Sequence, residues 1–86
     1  MNVHFYGSAL DHTGGVADFT PNRSPDLRSL VDEIGSLFGD SFRDVLLAND
    51  SFILLVNGKG IMQTGGFETK LYPGDKIEIL PFIDAG

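Results

Sequence analysis

Residue types that commonly perform catalysis are sparse in this sequence. His4 lies on a predicted strand and His12 in a predicted loop, and neither has a fixed spacing to a carboxylate. We therefore interpret both as ordinary surface side chains. Acidic pairs such as Asp32–Glu33 fall on predicted solvent-facing positions, and cysteine is absent, which excludes disulfides, thiolate metal sites and a cysteine nucleophile. We expect no enzyme active site and no metal site within the chain.

The C-terminal end is the unusual feature, because it is apolar where chain ends are normally polar. Phe82 and Ile83 follow the last predicted strand, and Asp84, Ala85 and Gly86 come after them. A terminal glycine has no Cβ, so its carboxylate can pass through a narrow channel and reach a nucleophile. An ionised carboxylate is a poor acyl donor and must first be activated, for example as an adenylate made by an ATP-using partner. Gly86 is the predicted reactive residue; the alternative is a tail that folds back onto the core.

Composition limits the classes of partner. The chain has 86 residues, which predicts one domain, and 12 acidic against 6 basic side chains give a net charge of −6. Because nucleic-acid affinity depends on clustered Lys and Arg, and the basic residues here are scattered, we expect no nucleic-acid ligand. The acidic surface favours a basic protein partner, or serves solubility alone. The longest apolar run, Phe52–Val56, is too short to span a bilayer, and no secretory signal is evident, so we expect a cytoplasmic protein without membrane contact.

The first half of the sequence predicts two strands and a long helix. Residues 1–6 alternate between apolar and polar, which is typical of a half-buried strand, and residues 16–20 form a short second strand. Ser24 is the predicted N-cap of the helix, Pro25 occupies its first position, and Gly39 ends it. Asp40 is the predicted cap of a shorter helical turn that follows. The long helix presents one apolar stripe, formed by Leu27, Leu30, Val31, Ile34 and Leu37.

The second half predicts three further strands. Residues 51–57 read as a strand buried on both faces, because the run Phe52–Val56 has no polar alternate. Ile61 and Met62 are predicted to form a brief edge strand. Pro73 and Gly74 suit a type II turn before the last strand, residues 76–80, in which Ile77 and Ile79 point inward.

These elements predict an α+β fold, specifically the β-grasp (ubiquitin-like) roll, with a mixed sheet and one long helix packed across one face. We expect residues 1–81 to form the domain and residues 82–86 a flexible C-terminal tail. Strand alternation places Tyr6 and Leu80 on the face that the helix leaves uncovered, which predicts a partner-binding surface beside the tail. The alternative is that a loop such as 57–66 covers these two side chains.

The sequence resembles a known family along essentially its whole length. The resemblance rests on these segments in this order: Val3-His4-Phe5-Tyr6, Leu10, Thr13-Gly14, the capped helix, Ile53-Leu54-Leu55-Val56-Asn57-Gly58, Pro73-Gly74-Asp75, and residues 77–86. Together they look like the MoaD-type small subunit of molybdopterin synthase, from the ubiquitin-like MoaD/ThiS sulfur carriers. Members of that family end in Gly-Gly, whereas Ala85 precedes Gly86 here.

The resemblance implies a sulfur carrier for molybdenum (or tungsten) cofactor biosynthesis. An E1-like enzyme of the MoeB type would use ATP to adenylate Gly86, and a sulfur donor would convert the adenylate to a thiocarboxylate. The MoaE-type large subunit of molybdopterin synthase would then receive the sulfur and supply the catalytic residues, while the carrier itself binds no cofactor. Two alternatives stay open: a carrier for another pathway or a ubiquitin-like protein modifier, and a β-grasp interaction module whose terminus does no chemistry.

Overall fold

The computed structural model describes residues 1–22 and 24–82, which form a five-stranded mixed sheet with helices packed on one face. The strands lie in the order β2-β1-β5-β3-β4, and β5 pairs parallel with β1 and antiparallel with β3. The predicted β-grasp fold is confirmed. In the described ranges no helix has the length and apolar character needed to cross a membrane. The strands are β1 (Asn2–Phe5), β2 (Asp18–Phe19), β3 (Phe52–Val56), β4 (Lys59–Gly60) and β5 (Lys76–Pro81).

Four helices complete the domain, and the two longest, α2 and α3, cover the inner face of the sheet. They are α1 (Ala9–Thr13), α2 (Leu27–Phe38), α3 (Asp40–Ala48) and α4 (Ile61–Thr64), with a 3-10 turn at Gly66–Glu68. Ile77 and Ile79 point inward as predicted. The fully buried side chains of the core include Val3, Phe5, Leu27, Leu30, Val31, Ile34, Phe42, Leu46, Leu54, Ile77 and Ile79.

The predicted apolar stripe of α2 is correct except at its last member. Leu37 is 58% exposed, while Gly35 is buried and packs against Arg43 of α3. The buried side of α2 therefore includes Gly35, which faces α3, and Leu37 lies on the opposite, solvent-exposed side of the helix.

The predicted start of α2 at Ser24 and Pro25 is wrong, because the helix begins at Leu27 with Asp26 as its N-cap. An Asp26 carboxylate oxygen accepts from the Ser29 amide at 2.9 Å. Residues 25–27 are extended instead, since the Leu71 amide donates to the Pro25 carbonyl and the Leu27 amide to the Thr69 carbonyl. The Ser29 amide and then the Ser29 hydroxyl, with smaller contributions from nearby basic side chains, lower the pKa of Asp26.

Of four further local predictions, three are wrong and one is confirmed. Residues 9–13, which include His12, form α1 rather than a loop, because Ala9 and Thr13 are buried together one turn apart. Ile61 and Met62 lie in α4, and the edge strand is the preceding Lys59–Gly60. The type II turn is confirmed: Gly74 has a φ of 91°, and the Asp75 amide donates to the Tyr72 carbonyl. The prediction that Asp40 caps the shorter helix is wrong, because Asp40 is the first residue of α3 and Gly39 occupies the N-cap.

The contact between Gly35 and Arg43 makes a stability prediction. A Cβ on Gly35 would lie 2.8 Å from the Cβ of Arg43, an atom that cannot move without the backbone. Alanine is the better helix former by about 1 kcal/mol, but overpacking costs about 1–3 kcal/mol. Because these two terms leave a net cost of about 0–2 kcal/mol, we expect Gly35→Ala to lower the free energy of unfolding by up to about 2 kcal/mol in urea denaturation. Ser36→Ala, at an exposed position of the same helix, should be neutral or slightly stabilising. A Gly35→Ala variant that is more stable than the parent by about 1 kcal/mol, the gain that helix propensity alone predicts, would contradict this packing.

Candidate functional site

The face of the sheet opposite α2 and α3, here called the outer face, carries Tyr6 and Leu80. The Tyr6 amide donates to the Ile79 carbonyl at 3.0 Å, which extends the β1–β5 register and sets Tyr6 beside Leu80. Tyr6 is 42% exposed and Leu80 is half-buried. Both side chains point away from the helices, as the strand alternation predicts. The alternative, that segment 57–66 covers them, does not hold for Tyr6, which stays exposed. Their role in binding a partner stays a prediction.

The outer face also contains two apolar side chains that the sequence analysis assigned to the core. Ile53 pairs with Leu80, and Leu55 pairs with Glu78, so both point away from the helices. Each is half-buried, whereas Phe52, Leu54 and Val56 on the other side of β3 are buried. The prediction of a strand buried on both faces is therefore wrong, because among residues 1–22 and 24–82 the helices cover the inner face and no second layer covers the outer face.

The C-terminal end of β5 emerges at the edge of this apolar surface. β5 ends at Pro81, and the Phe82 amide then donates to the Ser51 carbonyl at 3.2 Å. Phe82 is 48% exposed and lines a groove of about 230 Å3 together with Ile53 and Met62. We define the outer patch as Tyr6, Ile53, Leu55, Leu80 and Phe82. Of the predicted tail, Ile83, Asp84, Ala85 and Gly86 lie outside the described residues.

A small polar network borders the outer patch. The Tyr6 hydroxyl donates to a Glu78 carboxylate oxygen at 3.1 Å, and the Lys76 ammonium lies 3.7 Å from the same oxygen. Partial desolvation of the phenol raises the pKa of Tyr6 above its usual value, and the hydrogen bond and negative charge of Glu78 raise it further. Glu78 therefore favours the neutral phenol of Tyr6 over the phenolate.

The two histidines are not brought together. His4 lies opposite Glu78 on the outer face, whereas His12 stacks on Phe42 with ring centroids 4.6 Å apart. In the part of the chain that the structure describes, no three His, Asp or Glu side chains are grouped so that they could hold a metal ion. The described residues therefore form a partly exposed apolar surface beside the C-terminal end of β5.

Solved structures share this fold. CysO of Mycobacterium tuberculosis, described as an antigen, matches with a TM-score of 0.82 at 19% identity, over 95% of this chain and 98% of that one. A chain of the Amycolatopsis orientalis BexX/CysO complex matches with a TM-score of 0.77 at 20% identity, over 99% of this chain and 98% of that one. The small archaeal modifier protein 1 of Methanosarcina acetivorans matches with a TM-score of 0.68 at 22% identity, over 99% of this chain and 94% of that one. No protein-family model and no curated protein matches the sequence, and at these identities the similarity establishes the β-grasp fold.

The contact between Tyr6 and Glu78 predicts how the phenol titrates. A nearby negative charge disfavours the phenolate, so Glu78→Gln should lower the pKa of Tyr6. The measurement is an ultraviolet absorbance titration in a Tyr72→Phe background, which leaves Tyr6 as the single tyrosine. Glu68→Gln removes the same charge from the 3-10 turn and should leave the titration unchanged. An unchanged Tyr6 titration in Glu78→Gln would show that the two side chains do not interact in solution.

Proposed function

We propose that this chain is a ubiquitin-like sulfur carrier that holds sulfur as a thiocarboxylate on Gly86. The observation that carries the proposal is the exit of β5 beside the outer patch. The central strand ends at Pro81, Phe82 lies at the patch, and four more residues lead to Gly86. One partner can therefore contact the patch and the tail at the same time.

The length of the tail limits where the partner's active site can lie. Residues 83–86, fully extended, span at most about 13 Å at about 3.3 Å per residue. A partner docked on the outer patch would thus hold the Gly86 carboxylate within about that distance of Phe82. The acidic surface of the chain, with a net charge of −6, favours a partner with basic residues around its docking site.

The proposed chemistry needs only the carboxylate from this chain. A carboxylate oxygen of Gly86 attacks the α-phosphorus of ATP, and pyrophosphate leaves as the acyl adenylate forms. A sulfur nucleophile from the donor then attacks the adenylated carbonyl carbon, and AMP leaves with the electron pair of the broken C–O bond. If the donor is a persulfide, this step gives an acyl disulfide; a second thiol of the donor system then attacks the donor's own sulfur, so that the S–S bond breaks, a donor disulfide forms and the thiocarboxylate is left on Gly86. The E1-like partner and the sulfur donor supply the catalytic groups, and this chain supplies the docking surface and the acyl group.

The recipient that we propose is the MoaE-type large subunit of molybdopterin synthase, with a MoeB-type enzyme as activator. The support is the order of sequence segments shared with MoaD-type subunits. A second candidate is a carrier for another pathway or a protein modifier. Similarity to the small archaeal modifier protein 1 and to a chain of the BexX/CysO complex favours this candidate. Incubation of the thiocarboxylate form with each class of acceptor separates the two.

Removal of the last residue tests the proposed reactive group. Deletion of Gly86 should leave the melting temperature unchanged and abolish ATP–pyrophosphate exchange by the E1-like enzyme of the source organism, because Ala85 would present a shortened, more hindered carboxylate. Ala85→Gly, which restores a Gly-Gly end, should be adenylated at least as fast as the parent. Exchange at the parental rate by the deletion variant would contradict the assignment of Gly86.

The outer patch predicts a second outcome. Leu80→Asp should weaken binding to the E1-like enzyme by about ten-fold or more, because an aspartate at the centre of an apolar interface is desolvated without a partner. Leu37→Asp introduces the same change at an exposed position on α2, on the other side of the sheet, and should leave the Kd unchanged. Titration calorimetry gives the Kd values, and thermal melting confirms that both variants are folded. Equal effects of the two substitutions would contradict docking on the outer patch.

A further inference from the structure

The end of β5 packs against a glycine that leaves no room for a side chain. Gly7 has a φ of 58°, and a Cβ built on it would lie 2.9 Å from Cγ and 3.0 Å from Cδ of Pro81. Gly65 is the next most confined positive-φ glycine among the described residues, and a Cβ at that position would come no closer than 3.7 Å to Thr69. The contact with Pro81 is therefore particular to Gly7 and is not a general property of turn glycines in this fold.

The backbone around Gly7 explains the close approach. The Tyr6 amide donates to the Ile79 carbonyl, so the chain follows β5 beyond the end of β1. The chain then turns at once into α1, where the Leu10 amide donates to the Gly7 carbonyl at 3.0 Å. The left-handed conformation at Gly7 makes this turn, and it brings the Gly7 Cα against the proline ring.

Pro81 has properties that suit the last residue of a strand that must end in a defined direction. Its ring fixes φ near −65° and it has no amide hydrogen, so it cannot donate on the side of β5 that faces β1 and Gly7. The next amide along the chain, that of Phe82, donates to the Ser51 carbonyl. Residues 81 and 82, from which the tail begins, are thus held on both sides of β5: Pro81 contacts Gly7 on one side, and Phe82 hydrogen-bonds to Ser51 on the other.

We propose that Gly7 and Pro81 form a seat, here called the tail seat, that sets the direction in which the tail leaves the domain. Both are positioning residues, because they act on Gly86 through the intervening chain. The inference rests on the proposed function: a partner docked on the outer patch receives the Gly86 carboxylate only if the tail leaves β5 at the correct angle. A displacement of the reacting group by about 1 Å can cost about a hundred-fold in rate.

The test compares two glycine variants. Gly7→Ala adds a methyl group against Pro81, whereas Gly14→Ala adds one at a φ of 67° with no atom within 4 Å. Both variants carry the backbone strain of a left-handed alanine, and only Gly7→Ala disturbs the tail seat. The measurements are hydrogen exchange of the Phe82 amide and the kcat and KM of adenylation by the E1-like enzyme of the source organism.

We expect Gly7→Ala to speed exchange of the Phe82 amide and to lower kcat by about ten- to a hundred-fold. KM should change much less, because Ile53, Leu55 and Leu80 of the outer patch keep their strand pairing. Gly14→Ala should match the parent in all three measurements. Pro81→Ala removes the same ring atoms without strain at Gly7, and it should also lower kcat. The double variant Gly7→Ala/Pro81→Ala should be no slower than Pro81→Ala, because the atoms that collide are gone. If Gly7→Ala does not fold, Pro81→Ala decides the question.

Two results would overturn the inference, and they are distinguishable. Parental kcat in Gly7→Ala, or in Pro81→Ala where Gly7→Ala does not fold, overturns the tail seat and leaves the proposed function intact. Absence of adenylation of the parent chain, under conditions in which a control carrier is adenylated, overturns the proposed function and the tail seat with it.

Discussion

The hydrogen bonding of β5 on both sides is the constraint on which the rest of this structure depends. The strand pairs with β1 along Asn2–Phe5 and with β3 along Phe52–Val56, so the last strand in the chain is also the central strand of the sheet. Its alternate residues Ile77 and Ile79 anchor it in the core. The C-terminal segment therefore leaves from the most strongly held strand of the domain, and its point of departure is fixed relative to both faces.

The two faces of the sheet differ in how far they are covered by other elements. The inner face is covered by α2 and α3, and the core is formed there. The outer face has no covering layer in the described residues, yet it carries apolar side chains at all three central strands: Tyr6 directly after β1, Leu80 on β5 and Ile53 on β3. Apolar surface of this kind, adjacent to the exit of the chain, suits a docking surface that acts together with the tail.

Periodicity predicted the fold because β1, α2 and β5 have clear apolar patterns, and these elements form most of the core. The errors arose where a pattern was absent or ambiguous. Residues 9–13 are too few to show a helical period. The uninterrupted run Phe52–Val56 indicates apolar character but not which of its residues lack a covering layer, so Ile53 and Leu55 were missed as part of the outer patch. The start of α2 depends on a bridge from residues 25–27 to residues 69–71, more than forty residues away, which no local signal reveals.

The central claim is that Gly86 carries sulfur, and the intact mass of the chain tests it most directly. The chain is incubated with ATP, the E1-like enzyme of the source organism and a sulfur donor, and then analysed by mass spectrometry with fragmentation of the C-terminal peptide. The account predicts replacement of one oxygen atom by sulfur at Gly86, dependent on ATP. An unchanged mass, under conditions in which a control carrier is converted, would contradict it.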